Sequence, residues 1–157
     1  MSFFKKNKQS KGIALVFAII ISVILFSIAA GVLNISMREL NFSTSAKDSD
    51  NSFYAADSGI ECVLFNDKIG SVSFSESSPG VIDCFGETIV VNGSYPVFDF
   101  TVNYLGPNNK SCAKVTVAKD TITYGTKVVS KGYNLGGDND CYQTGLNSTE
   151  RVIEVNY

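Results

Sequence analysis

Residues 13 to 33 run without a single charged side chain, and only Ser22, Ser27 and Gly31 break the succession of aliphatic and aromatic residues. An α-helix rises about 1.5 Å per residue, so this run of 21 residues covers about 31 Å, the thickness of a bilayer's hydrocarbon core. The run's flanks set an orientation. Lys5, Lys6, Lys8 and Lys11 precede the run with no acidic residue among them, whereas Arg38, Glu39, Lys47 and Asp48 beyond it are mixed. The positive-inside rule keeps the N-terminus cytoplasmic and sends the rest across, as a single-pass protein with an extracytoplasmic head.

The remainder has an ordinary soluble composition rich in Gly, Ser, Asn and Thr, enough for one domain. With the four leading lysines set aside, nine basic residues face 15 acidic ones, a formal charge of −6. No basic stripe follows residue 33, so no nucleic-acid partner is expected. The chain has no histidine, which removes Ser-His-Asp and Cys-His catalysis and the usual zinc sets. Gly136-Gly137 lacks the Lys-Ser/Thr of a phosphate loop. No catalytic residue, metal site or cofactor is expected, and the chain reads as a non-enzyme. Asp48-Ser49-Asp50 and Asp138-Asn139-Asp140 offer oxygen ligands but not the spacing of a calcium loop. Asp57 and Glu61, one turn apart, read as a solvated helix face in preference to a docking point for Arg151.

Four cysteines, Cys62, Cys84, Cys112 and Cys141, lie in the part predicted to leave the cytoplasm. An even count there favours disulfides over buried free thiols. Three pairings are open; Cys62–Cys84 with Cys112–Cys141 closes the shorter loops and is preferred.

The apolar run admits three readings: a secretory peptide cut near Ser27-Ile28-Ala29, an uncleaved anchor, or a leader cut before the run. The sequence beyond Leu33 favours a helix that continues. No proline occurs before Pro79, and Met37, Leu40, Thr44, Phe53, Ala56, Ile60, Val63 and Leu64 recur at spacings of three and four. The expected helix runs over 13–65, with the polar stretch 43–52 its weakest part. Ala14, Ala18 and Ser22 fall on one face, where small side chains let a second helix approach closely in lipid.

Lys11-Gly12-Ile13-Ala14-Leu15-Val16-Phe17 resembles a class III, prepilin-type leader. The string Phe53-Tyr54-Ala55-Ala56-Asp57-Ser58-Gly59-Ile60-Glu61 resembles the corresponding segment of PilX-type minor pilins. Val128–Tyr133 and Arg151–Tyr157 resemble, more loosely, the closing strands of such proteins. The resemblance implies cleavage by a prepilin peptidase between Gly12 and Ile13, and N-methylation of Ile13. It divides the chain into a leader (1–12), a transmembrane half-helix (13–33) and a pilin-like head with the second half of the helix (34–157). Phe17 stands where a major pilin carries glutamate, a carboxylate that would be costly in hydrocarbon unless paired. That departure points to a minor, initiating or tip-like subunit of a type IV pilus or related filament. The implied partners are other pilin subunits through the N-terminal helix, the prepilin peptidase and inner membrane lipid, with the pilus or cell surface as destination. A minor pseudopilin of type II secretion, or a secreted or anchored binding domain, are the alternatives.

In the head, Phe98, Phe100, Val102 and Tyr104 alternate with polar residues, as do Ala113, Val115 and Val117, and Ile153, Val155 and Tyr157. Thr126–Ser130 and Thr88–Val91 are further strand candidates. Ser77–Gly80, Gly106–Asn109 and Gly136–Asp140 read as loops. One long helix followed by consecutive strands predicts an α+β fold, an antiparallel sheet packed on the helix face Phe53/Ala56/Ile60/Val63/Leu64.

Overall fold

The computed structural model describes residues 11–69, 74–75, 78–120, 122, 125–137, 141–142 and 148–157. Helix α1 (Lys11–Lys68) comes first, and two-residue strands β1 (Phe74–Ser75) and β2 (Ser78–Pro79) pair with each other. A hairpin of β3 (Val81–Cys84) and β4 (Glu87–Val90) follows. Then comes a five-stranded antiparallel meander in sequence order: β5 (Asn92–Ser94), β6 (Val97–Leu105), β7 (Ser111–Lys119), β8 (Thr126–Tyr133) and β9 (Glu150–Asn156). The expected α+β layout is the observed one. By contacts the chain separates into Met1–Thr44 and Ser45–Tyr157.

Within the first unit, α1 is a bare helix: every described side chain from Gly12 to Thr44 is exposed. Two of its hydroxyls bond back to the helix itself. Ser22 donates 2.7 Å to the carbonyl of Ala18 and Thr44 donates 2.9 Å to that of Leu40, so neither hydroxyl needs an outside partner.

In the second unit the helix turns small residues toward the sheet. Ser52, Ala55, Ala56, Gly59, Ile60, Cys62, Val63 and Asn66 are buried. The facing sheet positions are Phe98, Phe100 and Val102 on β6, Ala113, Val115 and Val117 on β7, and Val128, Ser130 and Gly132 on β8, all buried. The strand period of two produces that face, and the register Val115↔Ser130 and Ala113↔Gly132 sets the small residues side by side. A β-carbon on Gly59 would reach Val115 Cγ2 at 2.7 Å, and one on Gly132 would lie 2.9 Å from Ala56 Cα. Helix and sheet therefore touch almost backbone to backbone at Gly132 and backbone against side chain at Gly59, an approach that larger side chains would prevent.

Two expectations need correction. Phe53 is 49% exposed and stacks edge-on against Tyr54 at 6.0 Å; Ser52, one position earlier, takes the buried place. Tyr104 is likewise exposed, because the β6–β7 register shifts between Val102 and Leu105 and Tyr104 adopts φ 57°. Of the expected loops, Gly106–Asn109 contains a single 3₁₀ turn at Pro107–Asn109, while Ser78–Pro79 forms β2.

Candidate functional site

Of the expected leader, residues 1–10, with Lys5, Lys6 and Lys8, lie outside the described residues. Gly12 and Ile13, the expected cleavage pair, are in the first turns of α1, and nothing crowds the Gly12 α-carbon. Ala14, Ala18 and Ser22 are exposed within the same helix. Around them Ile13, Leu15, Val16, Phe17, Ile19 and Ile20 are each about half exposed or more. This segment is a candidate membrane span by length and composition. A continuous apolar surface of this extent is stable only against lipid or other apolar helices.

The described part of the head holds its half of the helix by three ties. Near its start, Ser52 Oγ lies 2.8 Å from the carbonyls of both Asp48 and Thr149, and Arg151 donates two hydrogen bonds, of 2.9 and 2.7 Å, to Ser49 Oγ. Arg151 thus reaches Ser49, not the Asp57/Glu61 pair. In the middle, the Cys62–Cys84 disulfide joins α1 to β3. Asn66 Nδ2 reinforces that link, lying 2.9 Å from both the Cys62 and the Asp83 carbonyl. At the end, Asp67 accepts hydrogen bonds of 2.7 and 2.6 Å from Lys119 Nζ and one of 2.8 Å from the Tyr157 hydroxyl. Lys119 also donates 2.9 Å to Thr126 Oγ1, and Lys68 Nζ sits 4.8 Å above the Tyr157 ring. Burial, the hydrogen bond to Asp67 and the Asp67 charge together raise the Tyr157 pKa above its ordinary value of 10.0.

The second disulfide, Cys112–Cys141, lies away from the helix. Cys112 belongs with Lys114 to the other face of β7, and with Cys141 and Tyr133 it forms a separate buried cluster. Tyr133 is pushed up to about 12, first by burial and then by its hydrogen bond to Glu150 and that residue's charge. Asp48, Ser49 and Asp50 are helical, and Ser49 Oγ accepts from the Arg151 guanidinium. Asp138, Asn139 and Asp140 lie outside the described residues.

Three contacts escaped the sequence: the Asp67–Lys119–Tyr157 clasp, the Gly59/Gly132 approach, and Phe85 at the tip of the β3–β4 hairpin. The first joins residues 52 and 90 positions apart, which no local pattern reveals. The last carried little signal, because Phe85-Gly86 is not one of the favoured two-residue turns and the strands on either side are short. Compared with models of known protein families, with curated proteins and with solved structures, the chain matches none.

Proposed function

We propose that this chain is a structural, minor subunit of a type IV pilus or related filament, in an initiating or tip-like position. The observation that carries the reading is the helix. One uninterrupted element presents an apolar surface suited to lipid over residues 13–33 and then serves as the spine of an antiparallel sheet. A prepilin peptidase would cut between Gly12 and Ile13, and methylation of Ile13 would follow. While the subunit waits in the inner membrane, hydrocarbon covers Ile13–Leu33. In the filament, neighbouring helices replace lipid, with Ala14, Ala18 and Ser22 allowing close approach. The mechanism is mechanical: removal of the basic leader frees the helix from its charged cytoplasmic end, and helix packing draws it out of the bilayer.

Phe17 supports the minor role. A phenylalanine in the span costs nothing in lipid, but it offers no carboxylate to meet another subunit's terminal amine. The two disulfides and three helix ties suit a head that leaves the cytoplasm as a rigid unit.

N-terminal sequencing of the mature protein tests the reading. A mature chain beginning at Ile13, methylated, is the expected result, and replacing Gly12 with a bulky residue abolishes the cut. A chain that begins near Ala30 would make the segment a secretory peptide. An intact Met1 would make it a plain anchor.

A further inference from the structure

Beside the Cys62–Cys84 disulfide the head has an open cavity of about 590 Å³, bounded by Glu61 and Phe65 of α1 and by Asp83, Phe85 and Gly86 of the β3–β4 hairpin. Phe65 and Phe85 are 57% and 61% exposed. Both carboxylates are exposed too, and among the described residues neither forms an ion pair. Glu61 and Phe65 are one helical turn apart, so they share a face. The cavity therefore has two aromatic walls and two anionic groups without counter-ions.

Phe85 carries the argument further. The hairpin turns through two residues, Phe85 and Gly86, between the pair Cys84↔Glu87. Both have positive φ, 56° and 82°, the pattern of a type I′ turn, which asparagine, aspartate or glycine enters without strain. A bulky side chain there is an unfavourable backbone choice. Burial of the ring does not offset it, because the ring is mostly in solvent. Asp83 Oδ1 accepts 3.1 Å from Gly86 N–H, and the disulfide with Asn66 fixes the hairpin to the helix. The two rings are thus held on a rigid frame at a local cost that folding of the head does not repay.

We propose that this cavity is a docking site for an arginine side chain carried by a partner protein. A guanidinium stacks on aromatic faces and donates in its own plane to carboxylates, so it satisfies both kinds of wall at once. An ammonium answers the charge but not the flat walls, and an uncharged alkyl chain leaves Glu61 and Asp83 unpaired. The site rests on the geometry of the head alone and stands whether or not the filament reading does.

The test is a titration of the full chain in nonionic micelles, with the phenylalanine rings isotopically labelled and followed by NMR. The probes are acetyl-Gly-Arg-Gly-amide and its lysine, norleucine and glutamate counterparts, with tetramethylammonium to represent a lipid headgroup. Saturable shifts of the Phe65 and Phe85 rings are expected with the arginine peptide in the millimolar range, several-fold weaker with lysine and absent with norleucine and glutamate. Glu61→Gln and Asp83→Asn each weaken arginine binding at least about threefold. Phe85→Asn separates the ring's use from its place in the fold: it abolishes binding while raising Tm by about 3–6 °C, since asparagine relieves the turn. Equal shifts with norleucine, tighter binding of tetramethylammonium than of arginine, no saturation with any probe, or a lower Tm in Phe85→Asn would each overturn the proposal.

Discussion

Gly132→Ala is expected to be among the most damaging single-methyl additions in the head. A β-carbon at position 132 meets the carbonyl oxygen of Ser52 and the amide nitrogen of Ala56 closer still than the 2.9 Å to Ala56 Cα. All three are backbone atoms of a helix tied to the sheet on both sides of this point, by Arg151 to Ser49 and by Lys119 to Asp67, so none can rotate away. Helix and sheet must separate by several tenths of an ångström, loosening Ala56, Val63, Val115 and Val128 together. Overpacking of this kind costs about 1–3 kcal/mol, and loss of the surrounding contacts puts Gly132→Ala at the upper end, about 3 kcal/mol. Gly59→Ala is the internal comparison. Its β-carbon meets mainly the Ser130 hydroxyl and Val115 Cγ2, side-chain atoms that can give, and alanine regains about 1 kcal/mol of helix propensity. A net loss of about 1 kcal/mol is expected. Ser130 supplies the third arm, since its buried hydroxyl has no hydrogen-bond partner among the described residues. Ser130→Ala should stabilise by about 1 kcal/mol and should reduce the cost of Gly59→Ala when the two are combined. Urea unfolding of the full chain in nonionic micelles, followed by near-ultraviolet circular dichroism, measures all four variants. With a slope near 2 kcal/mol/M, Gly132→Ala lowers the midpoint by about 1.5 M. If Gly132→Ala falls within about 0.5 kcal/mol of the parent, or Gly59→Ala costs more than it does, the backbone-to-backbone packing argued here is wrong.

Two further outcomes follow from the disulfides and the buried tyrosines of the head. Replacing either cysteine pair by alanine removes a cross-link of sequence separation 22 or 29. Chain entropy sets the loss at about 3–4 kcal/mol for each, read as a lower urea midpoint and, in the parent, as a mass gain of about 2 Da per bond on reduction. Tyr133 and Tyr157 both have folded pKa values raised above 10.0. Their contribution is full below pH 10 and is lost as pH rises beyond it, because the unfolded phenols ionise first. Stability measured from pH 8 to 11 should fall, and should fall less steeply in the Tyr133→Phe/Tyr157→Phe double variant.

The parts of the fold legible in the sequence are those governed by a local period. The apolar run needs only length, and Phe98-Asp99-Phe100-Thr101-Val102 needs only alternation. Both are where they are expected. The errors fall where a local period meets a long-range constraint. Phe53 fits the helical stripe as well as Ser52 does by spacing, yet the sheet lies so close at Gly132 that only a small residue fits beneath it. Spacing alone cannot report that distance, because it is set by residues about 80 positions away. Tyr104 continues an alternation that the β6–β7 register shift interrupts. Thr88–Val91 is recognisable as a strand from its β-branched residues, but its partner β3, with the alternation Val81-Ile82-Asp83-Cys84, is too short to stand out.

The composition of the one helix changes along its length. From 13 to 33 it uses Ile, Leu, Val and Phe on all sides, which hydrocarbon tolerates in every direction. From 52 to 66 its buried face is Ser, Ala, Gly, Ile, Cys, Val and Asn, and its exposed face keeps Tyr54, Glu61 and Phe65. The larger side chains are displaced outward because the sheet demands closeness, and the sheet answers with Ala113, Ser130 and Gly132. Exposed aromatic rings on the head are thus partly a consequence of how tightly it is packed. Phe53 and Phe65 can be explained in that way. Phe85 cannot, since it lies on a hairpin turn with no sheet to exclude it, and its backbone would be easier with almost any turn-forming residue. That difference sets the hairpin tip apart from Phe53 and Phe65; Tyr104, exposed at φ 57° beside the β6–β7 register shift, shares the backbone cost but has no place in the cavity walled by Phe65 and Phe85.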